Sequence, residues 1–254
     1  MEIICYACGR GENPENTIEG ITHCLSINPG WRIEMDLHMT ADGEIILFHD
    51  HNALRTTGVN LEIAKTPLSE IKKLNAGHYF SGAEDETYQI PTLKEVLEQF
   101  PNIRLLLDVH TPDLKAIPPI LELIETFQPE DVVIASQYDH IIAGFREKAP
   151  SLTYGVATKE AKKLIYSSFL GLDGFFPLKG DVLIIPKLFG KIKVLTPRIV
   201  RHVLKRNKTL WAWVEESDVV KTAESLDDVK MLESLGANAA FSEFPERIKQ
   251  ELNA

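Results

Sequence analysis

Glu34 and Asp36 stand two residues apart in Arg32-Ile33-Glu34-Met35-Asp36-Leu37, with apolar residues at the alternate positions. The side-chain period of a strand is two, so both carboxylates share one face and Ile33, Met35 and Leu37 share the other. Unpaired carboxylates this close repel, and one pKa rises unless a cation neutralises them. Asp108 ends a second apolar run, Leu105-Leu106-Leu107, and offers a third oxygen ligand. Three carboxylates, with waters and a substrate oxygen, suit Mg2+ or Ca2+ better than a metal that prefers nitrogen or sulfur. The competing reading leaves Glu34 and Asp36 in salt bridges with neighbours, or on a solvent-facing antiparallel strand. His110 follows Asp108 by two residues and shares its face. Trp211, Trp213 and Glu215 share a face of a later strand, where an indole can stack on a sugar or glycerol, or simply pack in the core. Arg10, in Gly9-Arg10-Gly11 after the first apolar run, has the planar fork that clamps phosphate. A surface arginine in a glycine-rich turn is the alternative.

Such residues need a scaffold that gathers strand ends. Strand-like runs are Glu2–Cys8, Trp31–Thr40 with a companion at Glu44–Phe48, Ile103–His110, Asp131–Ser136, Leu152–Ala157, Gly174–Pro177, Thr209–Glu215 and Ala237–Ser242. Helical patterns lie between them at Asn16–Ile27, Thr92–Gln99, Asp113–Phe127, Asp139–Lys148, Lys159–Leu170, Pro197–Arg206, Leu226–Leu235 and Pro245–Leu252. Strand–helix alternation implies parallel strands joined by crossovers, and about eight units predict a closed TM-free TIM (β/α)8 barrel in one domain over residues 1–254. Catalytic groups then belong at the C-terminal ends of the strands. His51–Ile90 is longer than an ordinary connection, and Leu178–Val194 reads equally as strand or loop.

The chain has 254 residues and a net charge of −10, which argues against a nucleic-acid partner while leaving room for a small anion beside a bound cation. Cys5, Cys8 and Cys24 are too few for a disulfide framework and are expected to be buried thiols. The N-terminus opens directly into Ile3-Ile4-Cys5 with no leader-like segment, and no apolar run is long enough to span a bilayer. The expectation is a cytoplasmic protein with a small-molecule substrate and no stable membrane association.

Pro14-Glu15-Asn16-Thr17, the Glu34-x-Asp36 pair, Thr40-x-Asp42-Gly43, Phe48-His49-Asp50 and Arg55-Thr56-Thr57-Gly58 together resemble the opening of glycerophosphodiester phosphodiesterases. Ile90-Pro91-Thr92-Leu93-x-Glu95-Val96-Leu97, Trp213 and Gly236 through Pro245 continue the likeness in order along nearly the whole chain. The resemblance implies the barrel with an insertion after strand 2, which accounts for His51–Ile90. It also implies a cation on Glu34 and Asp36, with His49 as catalytic acid or base. A metal beside a titrating imidazole is sound chemistry for a phosphodiester.

The chain departs from that family at three points. Counting back from Pro14 without a gap, the family's His-Arg-Gly falls on Tyr6-Ala7-Cys8; a gapped reading puts Gly9-Arg10-Gly11 there. Either way the histidine that partners His49 is missing, and Tyr6, with an unperturbed pKa of ~10, is a poor base at neutral pH although it can donate a hydrogen bond. Asp108 replaces a glutamate, as in the distantly similar spider-type sphingomyelinases D, and His110 replaces a phosphate-facing lysine. Ala7-Cys8-Gly9-Arg10-Gly11-Glu12-Asn13 is similar to the branch acting on agrocinopine-type sugar phosphodiesters. Three functions follow: a metal-dependent phosphodiesterase giving an alcohol and a phosphomonoester; a barrel that binds a phosphodiester or phosphosugar without turning it over; and a lipid-directed phospholipase. The last would need an exposed apolar loop at the mouth, for which Leu183–Phe189 is the candidate.

Overall fold

The computed structural model describes residues 1–81, 86–217 and 219–254. Eight parallel strands form its centre: β1 (Glu2–Cys5), β2 (Arg32–Met39), β3 (Arg104–Val109), β4 (Asp131–Ala135), β5 (Thr153–Tyr154), β6 (Val182–Phe189), β7 (Thr209–Glu216) and β8 (Ala239–Ser242). Neighbours in sequence pair with one another, and β8 returns to β1. The junction between β5 and β6 is the thinnest, resting on the parallel bridge Gly155–Val182 and on bonds such as Val156 N–H to Val182 O at 2.8 Å. The ring is therefore closed as a (β/α)8 barrel. Short antiparallel strands at Ile45–Leu47, Ile192–Lys193 and Val220–Lys221 extend β2, β6 and β7 beyond it.

Alternation along each strand divides the apolar residues between two compartments. Ile33, Met35 and Leu37 of β2 and Leu105, Leu107 and Val109 of β3 face outward and are sealed beneath the helices. Ile4, Leu106, Val133, Val182, Trp211, Ala239 and Phe241 fill the barrel interior. Threonine or serine caps begin several of the surrounding helices, and Thr92 and Glu95 make a full capping box at Leu93–Gln99. Between β2 and β3 the insertion builds its own small core from Ile46, Phe48, Ala53, Ile63, Ile71, Leu74, Ala76 and Ile90, which fixes the segment carrying His49. Residues 82–85 of the predicted long insertion lie outside the described residues.

One strand is displaced from its expected place. Gly174–Pro177 is not a strand: Asp173–Phe175 forms a 3-10 turn held by Arg198 through the Asp173 carboxylate. The sixth strand is Val182–Phe189, inside the stretch that read as ambiguous. It contains Pro186, and proline removes a ladder donor. It is tolerated because β6 pairs with β7 along most of its length but meets β5 only near Val182, so the donor is missing where no partner strand remains.

Opposite the mouth, at the N-terminal ends of the strands, Arg32 is almost fully buried. It donates to Leu105 O at 2.9 Å, ion-pairs with Asp131 and Glu2, and stacks 4.8 Å above the Trp211 ring. Arg104 reaches the same two acids. Replacing Arg32 with Met leaves Glu2 and Asp131 with Arg104 as their one cation and takes the side-chain donor from Leu105 O at the barrel floor. Because Asp131 is about one-third exposed, the expected loss is about 2–3 kcal/mol rather than the full value for a buried pair. Urea denaturation checks it, and an unchanged midpoint would show that the stacking methylenes alone do the work.

Candidate active site

β2 and β3 lie side by side in register, with Asp36 opposite Asp108 and Glu34 opposite Leu106. The alternation that sends their apolar neighbours outward sends Glu34, Asp36 and Asp108 inward to the C-terminal end of the barrel. One oxygen from each lies within 4.8 Å of the others. Asp36, His49 and His110 make an overlapping group of the same compactness. The donor set fits a hard divalent cation with oxygen ligands, and one imidazole could join them.

Each carboxylate is oriented by its surroundings. Glu34 Oε2 accepts the Ala7 N–H at 2.5 Å. That contact helps hold Ala7 and Cys8 at φ 44° and 62°, a left-handed conformation costing a non-glycine residue about 1 kcal/mol or more. Asn16 grips Asp36 from both sides: its Nδ2 donates to Oδ2 at 2.7 Å, and its Oδ1 accepts the Asp36 N–H at 3.0 Å. Asn16 itself sits at φ 56°, where asparagine is among the tolerated residues.

The electrostatics show acid crowding with one internal countercharge. Burial, then the charges of Asp36 and Asp108, raise the Glu34 pKa well above the usual carboxylate range. Burial would raise Asp36 too, but its contacts with His110, with His49 and Asn16 behind, hold it below its ordinary value. His110 Nε2 lies 3.0 Å from Asp36 Oδ1 and 3.4 Å from Asp108 Oδ2. Burial alone would lower His110; the two aspartates outweigh it and push the imidazole up to about 11. His38, buried behind it with its ring 6.2 Å from that of His110, goes the other way. Burial and the neighbouring imidazoles of His110 and His51 drop it to about 3.

His49 follows the short strand Ile45–Leu47 by two residues, and its ring centroid lies 4.5 Å from that of His110. Its Nδ1 meets Asp50 Oδ1 at 2.6 Å. Asp50 is bound in turn by Arg55 Nε at 2.6 Å, and the same guanidinium forks onto both oxygens of Glu15. Nδ1 engaged by a carboxylate leaves Nε2 as the working nitrogen, the usual arrangement of an acid–base histidine. His49, Asp50, His51, Arg55 and His110 line a cleft of about 710 Å3 with Asn52, Leu54, Asn60 and Gln137.

The remaining candidates come from the loop after β1 and from β7. Tyr6 follows β1, meets Phe241 edge-on at 6.2 Å, and carries the Arg10 guanidinium 4.6 Å from its ring centroid. Burial, then Glu34 and Asp36, push its phenol far above the ordinary range, so it holds its proton at any working pH. Arg10 donates through Nε and Nη2 to Glu243 Oε1 at 2.9 and 2.7 Å. Trp213 packs edge-on to Phe241 at 5.6 Å with its indole N–H buried and without a partner among the described residues. Glu215 lies one step further along β7, paired in register with Lys221. Trp211 sits at the other end of the barrel beneath Arg32, where it packs.

Sequence reasoning assigned no role to Asn16, Asp50, Arg55, Glu15 or His38. The first four stand within the segments that carried the family resemblance, which was the available signal. Their partners are visible only once the chain is folded.

Known structures with the same architecture include a glycerophosphodiester phosphodiesterase from Agrobacterium tumefaciens, with TM-score 0.77 and 17% identity over 98% of this chain and 99% of that one. Another is a phosphodiesterase from Oleispira antarctica, solved in complex with its product sn-glycerol-3-phosphate, with TM-score 0.76 and 23% identity over 100% and 97%. Among curated relatives, a glycerophosphodiester phosphodiesterase of Bacillus altitudinis is 26% identical over 269 residues, covering 99% of both chains. Lysophospholipase D GDPD1 of Homo sapiens is 26% identical over 232 residues, covering 89% of this chain and 71% of that protein. Residues 9–247 match the glycerophosphoryl diester phosphodiesterase family, and the chain therefore belongs to that family of phosphoric diester hydrolases.

Proposed function

We propose that the protein hydrolyses a small phosphodiester, of the glycerophosphodiester or agrocinopine-like sugar type, to an alcohol and a phosphomonoester. The observation that carries this reading is the convergence of Glu34, Asp36 and Asp108 within 4.8 Å, beside His49 and His110. These carboxylates would hold one divalent cation, Mg2+ or Ca2+, which when bound supplies Lewis-acid polarisation of a phosphoryl oxygen. His49, fixed by Asp50, donates or accepts the proton of the departing or attacking oxygen. The attacking oxygen belongs to water or to a neighbouring hydroxyl of the substrate, which would give a cyclic phosphate first. His110, 3.0 Å from Asp36 and 3.4 Å from Asp108, stands beside the cation site with a ring nitrogen that can meet the phosphate. Arg10 reaches the phosphate only by sharing or leaving Glu243, and Trp213 offers its ring edge to the alcohol portion, with Glu215 beside it.

Tyr6 favours a second reading: a barrel that binds such a diester without turning it over. On the ungapped reading it stands where the family's first catalytic histidine would be, and its phenol cannot act as a base. The sphingomyelinase-like reading has less support, because Leu183–Phe189 is largely the interior strand β6 and only Phe189 at its end is more than half exposed.

Release of phosphomonoester from glycerophosphodiesters and sugar phosphodiesters, with Mg2+, with Ca2+ and with chelator, separates the readings. The enzyme reading expects turnover by the parent protein that chelator removes. Tyr6→His is assayed alongside: a gain of ~10²-fold or more over a parent at background would make the parent a binding protein.

A further inference from the structure

The connection leading from the helix Thr158–Phe169 towards β6 leaves large apolar side chains in solvent. Phe169, Leu170, Leu172 and Phe175 are 54%, 75%, 45% and 78% exposed, and Tyr166 on the preceding turn 65%. Beside them the helix Pro197–Leu204 and the residues after it present Arg198, Arg201, Lys205 and Arg206 around a cup of about 310 Å3. Leu204, between two of these cations, is also exposed.

The two features are built as one. Arg198 donates to Gly171 O at 2.8 Å and pairs with Asp173, and Arg206 donates to Gly174 O at 3.3 Å. The apolar tips are thus held out against a basic wall by specific bonds. Asp173 is the one carboxylate lining the cup and is already taken by Arg198 and His202. Arg201 and Lys205 have no ion-pair partner among the described residues. In a chain of net charge −10 this is a local inversion of sign. Bare aromatic and leucine side chains flanked by unpaired cations are the composition that partitions into the interface of an anionic bilayer. A second copy of the chain meeting the same face would set one basic cup against another, which the charge disfavours.

We propose that this face docks the protein reversibly on an anionic lipid surface, with Leu170, Leu172 and Phe175 entering the headgroup boundary while Arg198, Arg201, Lys205 and Arg206 meet lipid phosphates. Reversible docking is compatible with the expectation of no stable membrane association drawn from sequence. The face is made by a helix-to-strand connection and a helix flank, whereas the candidate catalytic residues sit at the strand C-termini and the loops that follow. Docking therefore leaves the mouth open to water. The proposal stands whether or not the barrel hydrolyses a diester.

Co-sedimentation with vesicles tests it, comparing phosphatidylcholine alone with phosphatidylcholine carrying a one-third share of phosphatidylglycerol. The expected result is at least ~10-fold stronger partition onto the anionic vesicles, weakening as salt rises. Leu172→Ser with Phe175→Ser, and separately Arg201→Glu with Lys205→Glu, should each abolish most of it while thermal melting stays as in the parent. Absence of sedimentation overturns the proposal. So does equal binding to both vesicle types, or charge reversal without effect. If the serine pair instead converts a dimer to a monomer by light scattering and vesicles are ignored, the face is a self-association surface and the proposal fails.

Discussion

Asp36→Asn is expected to remove measurable binding of Mg2+ and Ca2+ and to lower phosphodiester hydrolysis by ~10³-fold or more, while leaving the barrel folded. Asp36 is shared by both compact ligand groups at the mouth, the carboxylate trio and the Asp36–His49–His110 set. No other residue belongs to both. Its two oxygens are also differently used: Oδ2 is fixed by Asn16, and Oδ1 lies 3.0 Å from His110. Asparagine can keep the Asn16 contact but loses the charge, and the remaining pair, Glu34 and Asp108, then offsets the ion with one acid fewer. Stability should change little, because the loss of the His110 ion pair is countered by relief of repulsion on Glu34, whose pKa is raised in part by Asp36 itself. Calorimetric titration with either ion is the direct measurement. Unchanged affinity would mean that the ion, if bound at all, is held elsewhere.

The parts of this molecule that were readable from sequence are those governed by local periodicity. Ile33, Met35 and Leu37 against Glu34 and Asp36 is a period-two statement, and it placed the carboxylates on the inner face before any coordinates. The strand–helix alternation likewise named the barrel, which closes through the Gly155–Val182 bridge. What failed to show was anything decided by contacts between distant segments. Arg10 reads as a free phosphate clamp until β8 brings Glu243 to it from 233 positions away. Arg55 has no assigned role until the insertion folds back and delivers it to Glu15, 40 residues earlier, and to Asp50. The sixth strand lies in a stretch that reads equally as strand or loop, and the missing donor of its Pro186 matters only where a neighbouring strand exists to receive it. Phe175 gave the opposite error: its apolar run looked like a buried strand, and it is instead the most exposed aromatic of the described chain.

His49→Ala is expected to lower kcat by ~10²–10⁴-fold with little change in KM, the signature of a group that acts in the transition state rather than in binding. The geometry supports that separation. His49 lies at the cleft with its Nδ1 engaged by Asp50, so truncation removes the proton carrier while Glu34, Asp36, Asp108 and Asn16 keep their own contacts. Affinity for divalent ions should therefore stay near that of the parent, which distinguishes this variant from Asp36→Asn. Asp50→Asn makes a graded companion. It keeps the imidazole but weakens the carboxylate that fixes its tautomer, so it should cost less than His49→Ala. Steady-state kinetics at saturating metal measure both. If His49→Ala retains parental kcat, the proton must move through His110 or solvent, and the Asp50–Arg55–Glu15 chain becomes a structural tie for the insertion instead of a support for catalysis.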